Sequence, residues 1–86
     1  MNRRRLLARL VRGDLQNVAF AEMRSLIEGF GFREVRVSGS HHIFSRDGVH
    51  ELINFQDIKG QAKPYQIRQF LRLVERYALP LEEEQS

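Results

Sequence analysis

The apolar residues of this chain recur at helical spacing in three stretches and alternate with polar residues between the second and the third. The first stretch predicts a short amphipathic helix over residues 3–12. The second predicts a core-facing helix from Phe20 to Phe30, ended by Gly31 in the left-handed conformation. The third predicts a helix that begins at Pro64, because the first helical turn tolerates proline, and that ends before Pro80.

The alternating stretch predicts three strands, over residues 33–38, 41–46 and 50–55. In the first, Val35 and Val37 fall on one side and Arg36 on the other, which is typical of a half-buried strand. Gly39-Ser40 predicts a tight link to the second strand, and Asp47-Gly48 is a strong hairpin signal before the third. Because parallel neighbours need long crossovers, links this short predict an antiparallel meander.

The order of these elements predicts an α+β fold in two layers. Both longer helices have one apolar face, so they pack most simply together on one face of the sheet and leave its other face open. This is the α-β-β-β-α topology of double-stranded-RNA-binding domains, with an additional short N-terminal helix. We divide the chain into a basic helix or arm over residues 1–13, the domain itself over 14–81 and an acidic tail over 82–86. Fold alone assigns no function.

Composition narrows the picture to one small domain, since 86 residues with 42% hydrophobic content build only a modest core. The absence of cysteine excludes disulfides and thiolate zinc sites. No apolar run approaches the roughly 20 residues of a membrane span, so we expect a cytoplasmic protein without a membrane partner. The first 13 residues hold five arginines and no acid, which indicates either attraction to a polyanion or a solvated helix face.

His41 and His42 are the best candidates for chemistry, because imidazole exchanges protons at physiological pH. Neighbouring strand residues point to opposite sides, so only one of the two can face a ligand. If Phe44 faces the helices, His42 shares its side and His41 faces the open side. A half-exposed structural role is the ordinary alternative for a histidine in a short strand. No metal is expected, since adjacent histidines diverge and no acidic cluster completes a site.

Lys63 is a second candidate, because it directly precedes the helix start at Pro64. Free backbone amides and the helix dipole favour an anion there, and the ammonium adds a point charge that suits a nucleic-acid phosphate. Arg68, Arg72 and Arg76 can extend this cationic track along the last helix. A solvated face opposite an apolar stripe is the alternative interpretation of these arginines.

Three parts of the sequence together resemble the HicA toxins of bacterial toxin–antitoxin pairs: Gly31-Phe32-Arg33, the run from Val37 to Phe44, and the helix after Lys63. The similarity covers about Val18 to Leu79. It implies a double-stranded-RNA-binding-like fold, cleavage of messenger RNA as an mRNA interferase, and a HicB antitoxin that covers the active site. By this likeness the catalytic histidine is His41.

Two features depart from the pattern of that family. Many relatives have a Pro-x-His segment after the third strand and a Lys-x-Gly-Thr-type start to the last helix. Here the chain has Asn54-Phe55-Gln56 and Ala62-Lys63-Pro64-Tyr65. The resemblance therefore leaves the role of Gln56 open.

We accordingly expect an RNA endonuclease that needs no metal or other cofactor, with His41 as its acid–base residue. The predicted substrate-binding residues are Gly39, which lets the RNA backbone approach, Ser40 and Lys63, which each hold a phosphate oxygen, and His42 beside them. One alternative is a non-catalytic RNA-binding module of the same fold. Another is a protein-interaction domain whose open sheet face docks a partner.

Overall fold

The computed structural model describes residues 2–82. Its elements are α1 (Arg3–Val11), α2 (Phe20–Gly29), β1 (Arg33–Ser38), β2 (His41–Ser45), β3 (Ile53–Gln56) and α3 (Pro64–Tyr77). The strands form one antiparallel sheet in the order β1-β2-β3. The predicted α-β-β-β-α topology with an additional N-terminal helix is confirmed. The predicted acidic tail lies, beyond Glu82, outside the described residues.

The core lies between the helices and one face of the sheet. Its centre is Phe70 of α3, whose ring meets the rings of Phe30, Phe32 and Phe55 edge-on, with centroids 5.6, 5.6 and 6.0 Å apart. Phe44 of β2 and Phe55 of β3 are fully buried on the same side of the sheet. Since side chains alternate along a strand, the residues on either side of Phe44 in β2 and of Phe55 in β3 face away from the helices.

The first helix packs against α2 through Leu6 and Leu10, which are 6% and 1% exposed. Asn2 caps it by accepting a hydrogen bond from the Arg5 N–H at 3.0 Å. Its first turn contains arginines and no acid, a charge arrangement that opposes the helix dipole. Burial of the two leucines therefore stabilises a helix that would be marginal by itself.

The end of α2 follows the prediction. Gly31 adopts φ +90°, and its N–H donates to the carbonyl of Glu28 at 2.9 Å. A side chain helps to complete this terminus, because Nε of Arg46 donates to the carbonyl of Phe30 at 2.7 Å. Arg46 was predicted as the last residue of the second strand, which instead ends at Ser45.

The half-buried pattern predicted for β1 was wrong. Val35 and Val37 are 49% and 51% exposed, and the register of β1 on β2 shifts between Glu34 and Arg36. Val35 is thus the extra residue of a β-bulge, which breaks the alternation. The helix-facing position belongs to Glu34, whose Oε1 accepts a hydrogen bond from Nη2 of Arg24 at 3.0 Å.

The third strand begins at Ile53, three residues later than predicted. Asp47-Gly48 does form a turn, closed by a 3.1 Å hydrogen bond from the Val49 N–H to the Arg46 carbonyl. Val49 then enters the core at 9% exposure, and the chain remains irregular up to Leu52. The link between β2 and β3 is therefore a loop of residues 46–52 and not a short hairpin.

Candidate active site

The two neighbouring histidines of β2 lie on opposite faces of the sheet. His42 is on the helix-covered face, where its ring centroid is 4.6 Å from that of Phe20 and its Nδ1 is 2.7 Å from Oε2 of Glu34. His41 pairs across the sheet with Gln56 of β3. Since cross-strand partners share a face, both His41 and Gln56 lie on the open face.

The turn before His41 is held in a conformation that glycine adopts without strain. Gly39 has φ +59°, and a Cβ built on it would meet no atom within 4 Å, so the space beside its backbone is open. The carbonyl of Ser40 accepts a hydrogen bond from the Asp57 N–H at 2.9 Å. This bond joins the turn to the end of β3, next to the histidine.

Lys63 reaches the same place from a loop with a fixed shape. Within this loop Ile58 and Gln61 exchange two backbone hydrogen bonds of 3.0 Å around Lys59 and Gly60, which both have positive φ, as in a type I′ turn. The loop is tied to the start of α2 by hydrogen bonds from Ala62 N–H to the Val18 carbonyl (2.9 Å) and from Phe20 N–H to the Gly60 carbonyl (2.8 Å). Lys63 follows directly, as the residue before α3.

A chain of hydrogen-bonded side chains connects Lys63 to His41. Nζ of Lys63 is 3.2 Å from Oε1 of Gln56, and Nε2 of Gln56 is 3.3 Å from Nε2 of His41. The other ring nitrogen of His41, Nδ1, is 3.2 Å from Oδ1 of Asn54. An ammonium group and an imidazole are thus joined through a single neutral amide.

Gln66 of α3 fastens this chain to the helical layer. Its Oε1 accepts the backbone N–H of Gln56 at 2.8 Å, and its Nε2 is 3.4 Å from Oε1 of the same residue. Sequence reasoning singled out Gln56 only as a departure from the family pattern and missed Asn54 and Gln66. Alternation along β3 is the signal that places Asn54 on the face of Gln56; no sequence signal identifies Gln66.

A groove of about 250 Å³ runs between β3 and α3 beside these residues, and Asn54 and Gln66 form part of its wall. Arg72 and Arg76 also line it, whereas Arg68 lines a separate groove between α1 and α3. Arg76 is paired with Glu51 at 2.9 Å. Among residues 2–82, Arg72 has no carboxylate partner within 4.0 Å. The predicted cationic track is therefore divided between two sides of α3.

The family model described as the HicA toxin of bacterial toxin–antitoxin systems matches residues 20–75, well over half of the chain. The chain belongs to the HicA toxin family. Membership makes it the toxin of a toxin–antitoxin pair and implies a cognate antitoxin. The match begins with α2 and so leaves α1 outside. No curated protein and no solved structure matches the chain.

In this HicA toxin, the structure brings together His41 and Lys63, and it places Gly39 and Ser40 in the turn that precedes the histidine. His42 is separated from them by the sheet. Within residues 2–82, no three histidine, aspartate or glutamate side chains converge in a way that would hold a metal ion. In the same range, no helix has the length and apolar character that a membrane span requires.

Proposed function

We propose that this HicA toxin is a ribonuclease that cleaves messenger RNA, with His41 as the acid–base residue and no need for a metal ion. The observation that carries this proposal is the pairing, on an open sheet face, of an imidazole with an ammonium group one amide away. The groups that a phosphodiester requires are a proton acceptor and a cation, and both are present here.

The proposed step is an attack by the 2′-hydroxyl of a ribose on the phosphorus that follows it. His41 takes the proton of that hydroxyl while water protonates the leaving 5′-oxygen, or water takes the hydroxyl proton while His41 protonates the leaving 5′-oxygen. The new O–P bond closes a 2′,3′-cyclic phosphate, and the old P–O bond breaks to give a 5′-hydroxyl. A positioned acid–base group of this kind contributes about 10²–10⁴-fold in rate.

Lys63 is proposed to hold the phosphate. Its side chain is exposed, it directly precedes α3, and the helix N-terminus adds a partial positive charge. The turn at Gly39 and Ser40 is proposed to receive the RNA backbone, because the space beside Gly39 is open. For His42, the contacts with Glu34 and Phe20 support a scaffold role in place of the substrate contact expected from sequence.

The proposed partners are messenger RNA and a HicB-like antitoxin that covers the open sheet face, and the proposed location is the cytoplasm. An antitoxin bound on this face would prevent RNA from reaching His41.

Incubation of purified protein with an end-labelled RNA in EDTA tests the proposal. We expect cleavage that leaves a 2′,3′-cyclic phosphate and that stops when the cleaved nucleotide carries 2′-deoxyribose. His41→Ala should abolish it, whereas His50→Ala is the matched control, because His50 is an exposed residue of the 46–52 loop. RNA that shifts on a gel but stays intact would overturn the nuclease and establish the non-catalytic RNA-binding module.

A further inference from the structure

We infer that Gln56 is a positioning residue, which fixes His41 as the Nδ1–H tautomer and leaves Nε2 as the base. This inference deepens the proposed function and rests on it for its catalytic meaning. The tautomer itself is a property of the protein without RNA. It follows from the donors and acceptors of four side chains: Lys63, Gln56, His41 and Asn54.

The orientation of the Gln56 amide is set by two independent donors. The ammonium of Lys63 has hydrogens to donate and no lone pair to accept, so the Gln56 atom at 3.2 Å from it is the carbonyl oxygen. The second donor, Gln66, indicates the same orientation of the Gln56 amide. Its own oxygen is occupied by the Gln56 backbone N–H, which turns its NH₂ group toward Oε1 of Gln56.

The tautomer of His41 follows from that orientation. The NH₂ group of Gln56 faces Nε2 of His41 at 3.3 Å, and an amide NH₂ only donates. Nε2 must therefore carry the lone pair, and the ring proton sits on Nδ1, where it is donated to Oδ1 of Asn54 at 3.2 Å. The opposite tautomer would bring two N–H groups face to face.

The contact between Gln56 and Nε2 of His41 also affects substrate binding. The NH₂ group of Gln56 stands at the nitrogen that has to receive the 2′-hydroxyl proton, so it must leave when RNA arrives.

Nitrogen-15 NMR of the imidazole rings tests this inference in protein without RNA, at a pH where the histidines are neutral. We expect the wild-type ring of His41 to give the Nδ1–H pattern. In Gln56→Glu the new carboxylate only accepts, so the Nε2–H pattern should replace it. Gln61→Glu is the matched control, because it adds the same charge to the loop that carries Lys63 and has no contact with the ring. It should keep the wild-type pattern.

A wild-type protein with the Nε2–H tautomer, or a Gln56→Glu protein with an unchanged tautomer, would overturn the inference. If Gln56→Glu fails to fold, Gln56→Met serves instead, since it removes both the donor and the acceptor and should give a mixture of tautomers; an unmixed Nδ1–H form would contradict the proposal. These spectra stand even if the protein cleaves no RNA, so the two proposals fail separately.

Enzyme kinetics give the second readout. A carboxylate beside an imidazole favours its protonated form, so the acid limb of the pH–rate profile of Gln56→Glu should move up by about 1–3 pH units. Gln61→Glu should leave that limb in place. For Gln56→Met, which adds no charge beside Lys63, the inference also predicts that kcat changes more than KM, because the amide acts on the base and not on the RNA. A change in KM alone would contradict it.

Discussion

The two faces of the sheet present one histidine each, from adjacent positions of β2. On the helix-covered face His42 is held by a carboxylate, Glu34, and by the ring of Phe20. On the open face both ring nitrogens of His41 contact neutral amides, those of Asn54 and Gln56. A histidine is thus part of the packing on one face of the sheet, and another histidine is available to a ligand on the other face.

Charge separates the two faces as well. Glu34, beside His42, also pairs with Arg24, so the positive charge of Arg24 is already neutralised within the fold. Lys63 on the open face contacts only an amide oxygen. The cation available to a polyanion is therefore the one near His41, whereas the charges next to His42 offset each other. Local partners, more than residue type, decide which histidine can do chemistry.

Lys63→Ala is the variant that should damage the open face most without touching the imidazole. Loss of a charge-assisted hydrogen bond to phosphate corresponds to about 1.5–3 kcal/mol, or about 10–100-fold in kcat/KM for RNA cleavage. Lys59→Ala is the matched control, since Lys59 is an exposed lysine of the same loop. Equal losses for both variants would mean that only the general charge of the loop matters.

His42→Ala should damage the other face. It removes the hydrogen bond to Glu34 and the contact with Phe20, and we expect the free energy of unfolding to fall by about 1–2 kcal/mol. Denaturant titration measures this loss. Cleavage per folded molecule should stay within a few-fold of wild type. A stable but inactive His42→Ala protein would return this residue to the substrate-binding set.

Arg72→Ala should weaken RNA binding by a few-fold and reduce the slope of log affinity against log salt by about 1, as expected for one lost phosphate contact. The matched variant is Arg68→Ala, because both arginines are exposed residues of α3 without a carboxylate partner among residues 2–82. Of these two arginines, only Arg72 lines the groove beside Asn54. Binding titrations at several salt concentrations measure both variants. A larger loss of RNA affinity in Arg68→Ala than in Arg72→Ala would contradict the prediction.

The smallest predicted effect concerns the Glu51–Tyr77 pair at the far end of that groove. The hydroxyl of Tyr77 donates to Glu51 at 2.6 Å, which lowers the pKa of Glu51 below its ordinary 4.5. A carboxyl with a lowered pKa stabilises the fold above its ordinary pKa, and this contribution is lost as the pH falls through the folded pKa.

Tyr77→Phe removes the donor to Glu51. We therefore expect the stability of wild type over this variant to be greatest near neutral pH and to shrink as the pH falls below about 4.5. The same bond raises the pKa of Tyr77, so the difference should also shrink at strongly alkaline pH. Thermal melts across this range measure it, with Tyr65→Phe as the control. A difference that does not vary with pH would contradict the assignment.

Much of the fold was predictable because its signals are local. The apolar period, Gly31 and Pro64 locate both ends of α2 and the start of α3 to within about a residue, whereas α3 ends at Tyr77, earlier than Pro80 requires. Alternation from Phe44 places His41 on the open face once Phe44 is taken to face the helices, and the structure confirms that premise. The face of each histidine was therefore predictable, whereas the side chains that contact them were not.

The errors arose where distant contacts override local pattern. The bulge at Val35 lies directly after Glu34, whose carboxylate pairs with Arg24 ten residues earlier, a contact that the local pattern does not indicate. The late start of β3 reflects burial of Val49 in the core, which a turn signal at Asp47-Gly48 does not reveal. The contact of Gln66 with Gln56 crosses from α3 to β3, and neither residue has a sequence pattern that indicates it.

His41 is proposed to perform the chemistry and His42 to support the fold. Single-turnover cleavage of one RNA in EDTA tests this claim directly, with wild type, His41→Ala and His42→Ala compared at equal concentrations of folded protein. We predict a loss of about 10²–10⁴-fold for His41→Ala and a rate within a few-fold of wild type for His42→Ala. Wild-type cleavage by folded His41→Ala would contradict the claim.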